Sequence, residues 1–208
     1  MRIDALKNSP DRAGRYWVTF ADGTRLGLYR QTVEDFGLYI GKELSEAELE
    51  QLHTAAGKMS AKMRAVRIVS ATSVSKRDLE ERLVRKGEDP TQAKEAVAWM
   101  EELHLVDDRN TAEALVHSCI SKGYGLARAK QALYEKRIPK QYWDEALEDY
   151  PDQTEKIEAF LRSRLDADAD EKQIKRAIDA LIRRGHSYGT IKRVLNELSF
   201  DSEDYLED

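Results

Sequence analysis

A single frame of charged and apolar residues recurs along this chain, and such a recurrence constrains the fold more tightly than any local propensity. The stretch Ser121–Pro139 reads "SKGYGLARAKQALYEKRIP", and its frame returns 62 residues later in "RRGHSYGTIKRVLNELSF", Arg183–Phe200. Under that shift Gly123 falls on Gly185, Lys130 on Lys192, Leu133 on Leu195 and Glu135 on Glu197. Ile138 falls on Phe200 and Trp143 on Tyr205. A shift of 50 residues the other way carries Leu133 onto Leu83, Ala129 onto Leu79, Lys136 onto Lys86, Leu147 onto Val97 and Cys119 onto Val69. The frame therefore occurs three times. A unit of about 50 residues has a small core and is marginal alone, so neighbouring units are expected to bury each other's edges.

Helical spacing and end signals divide each copy into a long helix, a short helix and a third helix. The expected first helices are 58–71, 109–122 and 171–184; the second are 76–86, 126–136 and 188–198; the third are 90–104, 140–149 and 202–207. Upstream, Ser45 and Glu48 form a capping box that opens a helix through Leu49, Leu52 and Ala56, with a separate helix carrying Met59, Met63, Val66 and Val69 behind it. Ser75 opens the helix that presents Leu79 and Leu83. Asp89 and Pro90 start the helix carrying Ala93, Val97, Met100 and Leu103. Asp108 is read as the cap of the helix that buries Ala112, Leu115 and Cys119. Gly123 reads as a helix terminator and Gly125 as the loop before the next helix. "TEKIEAFLRSRL", Thr154–Leu165, supplies an extra helix between the second and third copies and is followed by an acidic loop. Before all of this, Tyr16–Phe20 and Thr24–Leu28 read as two strands joined at Asp22-Gly23, with Tyr16, Val18 and Phe20 on one face. An isolated hairpin is marginal, so this one must pair with another strand or lie on the helices.

The fold expected is mainly α: tandem three-helix repeats forming an elongated, curved body, with a small N-terminal β-hairpin. The boundaries read as 1–43 for the hairpin region, 44–107 for a helical lead-in and the first repeat, 108–150 for the second repeat, and 151–208 for the connecting helix and third repeat. The second copy, with neighbours on both sides, is expected to be the best packed.

Charge enters next. The 208 residues are 35% charged and 41% hydrophobic, a balance that suits helical structures with much surface per core residue. The net charge of −5 conceals sorting along the chain. Segments 58–86, 122–140 and 172–193 are each basic by about five or six charges, and the stretches between them and the tail "DSEDYLED" are acidic. Cys119 is the single cysteine, which excludes an intrachain disulfide and suits a reducing compartment. There is no apolar run of bilayer length and no apolar secretory start, so a cytoplasmic protein with no membrane contact is expected.

Signals for catalysis are weak. His53, His104, His117 and His186 lack a second ligand at metal spacing and read mostly as surface or helix-end residues. Neither a Walker loop nor a strand–GxGxxG–helix unit is present. Cys119 lies on an apolar face and reads as core. Asp107 and Asp108 read as a helix start rather than a catalytic carboxylate pair. No catalytic residue, metal or cofactor is expected.

Basic side chains on and beside the short second helices are the better candidates: Arg82, Arg85 and Lys86 in the first copy, Arg128, Lys130, Lys136 and Arg137 in the second, and Lys192 and Arg193 in the third. Arg183 and Arg184 close the helix before the last of these. Trp99, Trp143, Tyr124, Tyr142 and Tyr188 stand nearby and read as core rather than stacking platforms. Plain charge without amide forks favours contact with a nucleic-acid backbone or an acidic protein surface over sequence readout. Stacked repeats would set these groups along one face as a stripe.

Taken together, "SVSKRDLEERLVRKG", the segment with "LxLVDD" at Leu103–Asp108 and "KGYGxxRxxxxLxxKRI" at Lys122–Ile138, and "LIRRGHSYxxIKRVL" at Leu181–Leu195 resemble the RecX family, bacterial regulators of the RecA recombinase. The resemblance covers about residues 58–200. It implies a non-enzymatic modulator that binds along the groove of the RecA–DNA filament. Such proteins oppose filament extension, and with it strand exchange and RecA's ATPase and coprotease activities, in recombination and the SOS response. It implies no catalytic residues. Several members are strongly basic; this chain is net acidic, which shifts the expected weight from DNA to protein contacts. A monomer is expected, with the RecA filament as partner and single- or double-stranded DNA as a further one. The other readings are a helical-repeat DNA-binding protein that acts without RecA, with a steep salt dependence, and an enzyme, which the missing motifs disfavour.

Overall fold

The computed structural model describes residues 1–10, 14–166 and 168–198. The chain falls into two compact units, Met1–Val106 and Asp107–Asp208. Both are dominated by helix, and a small three-stranded antiparallel sheet opens the first. The expected third helix at 202–207, with Phe200, Tyr205 and the acidic tail, lies outside the described residues.

In the first unit, β1 (Ile3–Asn8), β2 (Arg15–Phe20) and β3 (Arg25–Tyr29) pair in that order. β2 and β3 are the expected hairpin, with Gly23 at φ 84° in its turn. Val18 and Phe20 are buried on one face, as alternation requires, and Trp17 is half exposed on the other. There Trp17 lies opposite Gly27 in the neighbouring strand and covers it. β1 was not anticipated: its residues alternate poorly, and its register shifts between Ile3 and Ala5. It supplies the further strand that the hairpin needs. A short α1 (Arg30–Asp35) follows.

α2 runs unbroken over Glu46–Ala71, where the sequence suggested two helices. The Ser45–Glu48 capping box opens it as expected. Two cores account for its continuity. Leu52 and Ala56 of its first half close the sheet's core with Ile3, Val18, Phe20 and Leu28. Ala61 and Ala65 of its second half enter the first repeat's core with Leu79, Leu83, Ala93, Ala96, Val97 and Met100. The inward positions are these alanines; Met59 and Met63, expected on that face, are only partly buried. Gly57 stands between the two halves, against the Gln92 amide of α4 (Pro90–Glu102). α3 (Lys76–Arg85) starts at the Ser75 cap, and α4 starts at Asp89 with Pro90 in its first turn. Leu103 caps the end of α4 and is exposed rather than buried.

The second unit begins with α5 (Asp108–Ser121), whose cap is Asp107, one residue earlier than read from the sequence. Asp107 accepts hydrogen bonds from Arg109 and Asn110 N–H, and Asp108 is buried in the first turn. α6 (Leu126–Glu135) buries Ala129 and Leu133. The third helix of this copy is reduced to a 3-10 turn, Lys140–Tyr142, and α7 (Trp143–Leu147), neither with a fully buried residue. Its core cluster therefore holds only Ala112, Val116, Leu133 and Ile138 as buried residues, rimmed by half-buried Trp143, Tyr142 and Tyr150. Among the described residues the second copy is thus the most lightly packed of the three, against expectation, with a third helix too short to cover it. The inserted α8 (Thr154–Arg162) packs Ile157 and Leu161 with Ile174, Ile178 and Leu181 of α9 (Glu171–Arg183) and with Ile191, Val194 and Leu195 of α10 (Tyr188–Glu197). The framed residues Leu83, Leu133 and Leu195 each have no exposed surface.

Candidate binding surface

The repeated glycines lead to the best-defined junction in the second unit. Lys122 caps the end of α5 and Arg184 that of α9, and Gly123 and Gly185 follow in the left-handed region at φ 66° and 85°. Gly125 caps α6 with no side chain to offer. Its N–H instead donates to the Arg184 carbonyl at 2.9 Å, and Ala127 N–H donates to the Gly185 carbonyl at 3.3 Å. The open end of one helix thus satisfies the open end of another. A Cβ on Gly125 would stand 2.0 Å from the Gly185 oxygen, and one on Gly185 would stand 2.3 Å from Arg128 N. Two of the glycines in "KGYG" and "RRGHSYG" exist for this backbone contact.

His186 completes the corner and departs from the surface reading: it is buried, with Nε2 donating to the Gly123 carbonyl at 3.0 Å. Burial lowers its pKa, the Gly123 bond opposes that, and the Arg184 charge adds to the lowering, so the neutral ring is favoured. Tyr150 donates to the Tyr124 carbonyl at 2.7 Å, and burial, with Cys119 beside it, pushes its hydroxyl up to about 12. Cys119 is buried, and burial raises its thiol pKa against the opposing charges of Arg128 and Lys122. Such a thiol is a poor nucleophile. Among the described residues no group of three or more His, Cys, Asp or Glu is placed to hold a metal, and no helix is long and apolar enough to cross a membrane.

The basic candidates fall into distinct settings. Lys130, Arg137 and Arg183 are exposed, as are Arg85, Lys86 and Arg193. Arg128 is half-buried, pairs with Glu135 at 3.1 Å, and backs onto Gly185. Lys136 and Lys192 are half-buried on their helices. Arg193 reaches the Thr154 hydroxyl at 3.0 Å and Glu197 at 3.4 Å. Arg184 stacks 4.5 Å above the Phe160 ring. Arg137 occupies φ 56° just past α6, where the frame in the first copy has Gly87 at 89°. The charges also coincide less than the apolar residues do. Lys86 matches Lys136 and Lys130 matches Lys192, but Glu80 stands where Lys130 does and Glu135 where Arg85 does.

Arg82 lies apart from this exposed set, and Lys86, though exposed, stands beside it. Arg82 pairs with Asp78 at 2.9 Å, and with Lys86, Arg64 and Arg67 it lines a pocket between α2 and α3. Arg64 and Arg67 went unremarked in the sequence, although they stand one helical turn apart on α2, as Arg82 and Lys86 do on α3. Trp143 and Tyr142 are partly buried against the second core, Tyr188 against the third and Trp99 against the first, in keeping with core rather than stacking roles.

Helical modules in tandem, each with its own buried core and with basic residues exposed on its short helix, define a helical-repeat protein. Comparison with known proteins narrows the class. Residues 107–147 match the model of the RecX second three-helix domain. A "Regulatory protein RecX" of Chlorobaculum tepidum is 33% identical over 70% of this chain and 95% of that protein. Another, from Clostridioides difficile, is 28% identical over 98% of this chain and 97% of that protein. The fold is also that of a crystal structure of regulatory protein RecX, at TM-score 0.61 and 20% identity over 94% of this chain and 98% of that one. RecX from Lactobacillus salivarius superposes at TM-score 0.59 with 22% identity, over 70% of this chain and 98% of that one. The chain belongs to the RecX family of regulatory proteins.

Proposed function

We propose that this protein binds the RecA–DNA filament and restrains its extension, lowering RecA's ATPase, strand exchange and coprotease activities during recombination, DNA repair and the SOS response. The observation that carries the reading is the three-fold frame with its RecX-like motifs, beside similarity over nearly the full length of a relative named as a regulatory protein. A helical filament presents the same surface at regular intervals, and a chain of related modules suits a partner that repeats. The basic groups outside α2, above all Lys130, Arg137 and Arg183, are the contacts assigned to that surface, with Arg85, Lys86, Lys136, Lys192 and Arg193 supporting them. The protein acts by occupancy rather than catalysis, as a cytoplasmic monomer.

RecA's ATPase on single-stranded DNA, measured with increasing amounts of this protein, tests the reading. Hydrolysis should fall as filaments shorten. Unchanged ATPase, filament length and strand exchange at saturating protein would overturn it.

A further inference from the structure

The first repeat carries a feature that the exposed basic faces lack. Arg64 and Arg67 of α2 and Arg82 and Lys86 of α3 converge on one pocket of about 400 Å³, with Ile68 as its partly buried apolar wall and Thr72 at its edge. None of its lining residues is acidic. Carboxylates lie behind two of the cations instead. Glu88 sits 2.6 Å from Arg64 Nε, and Asp78 sits 2.9 Å from Arg82 Nε; both acids are largely buried. Both pairs balance a charge, and the hydrogen bond to Asp78 also orients Arg82.

The other two cations are held differently. Arg67 donates to the Met63 carbonyl at 3.2 Å and to the Tyr29 hydroxyl at 3.0 Å, both neutral acceptors. Lys86 has no carboxylate at ion-pair distance among the described residues. Its carbonyl accepts from Arg64 at 3.0 Å, which ties the rim of the pocket together. Two charges thus remain unbalanced. The C-terminal ends of α2 and α3 nearby offset about half a charge each. Roughly one net positive charge is left, surrounded by prepositioned donors. A carboxylate would engage a single arginine fork, whereas a phosphate offers three or more acceptor oxygens and up to two charges to several donors at once.

We propose that this pocket is a phosphate-binding site, taking a phosphate group carried by a small polyphosphate or by a nucleic-acid backbone. The inference goes beyond the RecA reading and does not depend on it.

The test is a titration of the full-length protein followed by the Nε–Hε resonances of its arginines. One arm uses inorganic pyrophosphate and the other an oligothymidylate without a terminal phosphate, both against sodium chloride of equal ionic strength. Saturable shifts of Arg64 and Arg67 are expected in at least one arm, and the responding arm identifies the source of the phosphate. In that arm the double variant Arg67→Gln, Lys86→Gln should bind about tenfold or more weakly. Arg77→Gln, on α3 but outside the pocket, should bind like the wild type. The absence of a saturable shift in both arms would overturn the proposal, whether or not the double variant folds well. Equal weakening by Arg77→Gln would also overturn it, because it would indicate diffuse charge. Neither arm contains RecA, so failure here leaves the RecA reading standing.

Discussion

Two glycines show how a single added carbon can have opposite consequences. At Gly57, inside α2, a Cβ would meet the Gln92 side-chain oxygen at 2.2 Å, and at Gly125 it would meet the Gly185 carbonyl at 2.0 Å. The collisions are similar in distance and different in kind. Gln92 ends in a flexible chain that can rotate away, and alanine is favoured over glycine by about 1 kcal/mol in a helix. Gly57→Ala should therefore leave stability within about 1 kcal/mol of wild type. The Gly185 carbonyl is backbone, held by the turn after α9, so Gly125→Ala must force the corner apart. A loss of roughly 3 kcal/mol or more is expected in urea denaturation, at the upper end for single substitutions. Equal effects of the two variants would mean that the corner contact is not as described.

Elements here owe their boundaries to what covers them. α2 continues through Gly57 because both of its halves are buried, one under the sheet and one in the first repeat. α7 stops after five residues, and the second repeat is left with a thin core. Leu133 is the large side chain at the centre of that core and is fully buried. Leu133→Ala should cost about 2–5 kcal/mol, as other large core truncations do. A half-covered core has little spare packing with which to close the cavity. Thermal unfolding of the variant checks this, and a change near zero would separate Leu133 from the role that Leu83 and Leu195 share with it.

For the whole molecule, the question is which charges meet the partner. Reversal of Arg128 is a poor probe, because that residue pairs with Glu135 and supports Gly185. Lys130 and Arg137 are exposed on the same repeat and better suited. The double variant Lys130→Glu, Arg137→Glu should keep wild-type circular dichroism, since exposed charges rarely change stability by more than about 0.5 kcal/mol each. Under the proposed function, its inhibition of RecA should weaken markedly. Wild-type inhibition should itself decline as salt shortens the screening length below about 8 Å. A folded variant with wild-type inhibition would move the contact surface off the second repeat.

Local rules carried much of this protein. The three short helices, the Ser75 cap of the first of them, the Asp89 cap of α4, and the buried Leu83, Leu133 and Leu195 follow from a 3.6-residue period and from capping chemistry, both of which act within a few residues. The family was legible for the same reason: its motifs are helix ends and helix faces. Contacts between distant segments decided the rest. β1 is a strand because β2 offers it an edge, not because its own residues alternate. Arg64 and Arg67 look like ordinary solvated charges until α3 brings Arg82 and Lys86 beside them. His186 reads as a helix-end residue until the Gly123 carbonyl, 63 positions earlier, accepts a hydrogen bond from its ring. Periodicity records which side of an element is apolar; only packing determines what that side, and the polar groups at its margin, will meet.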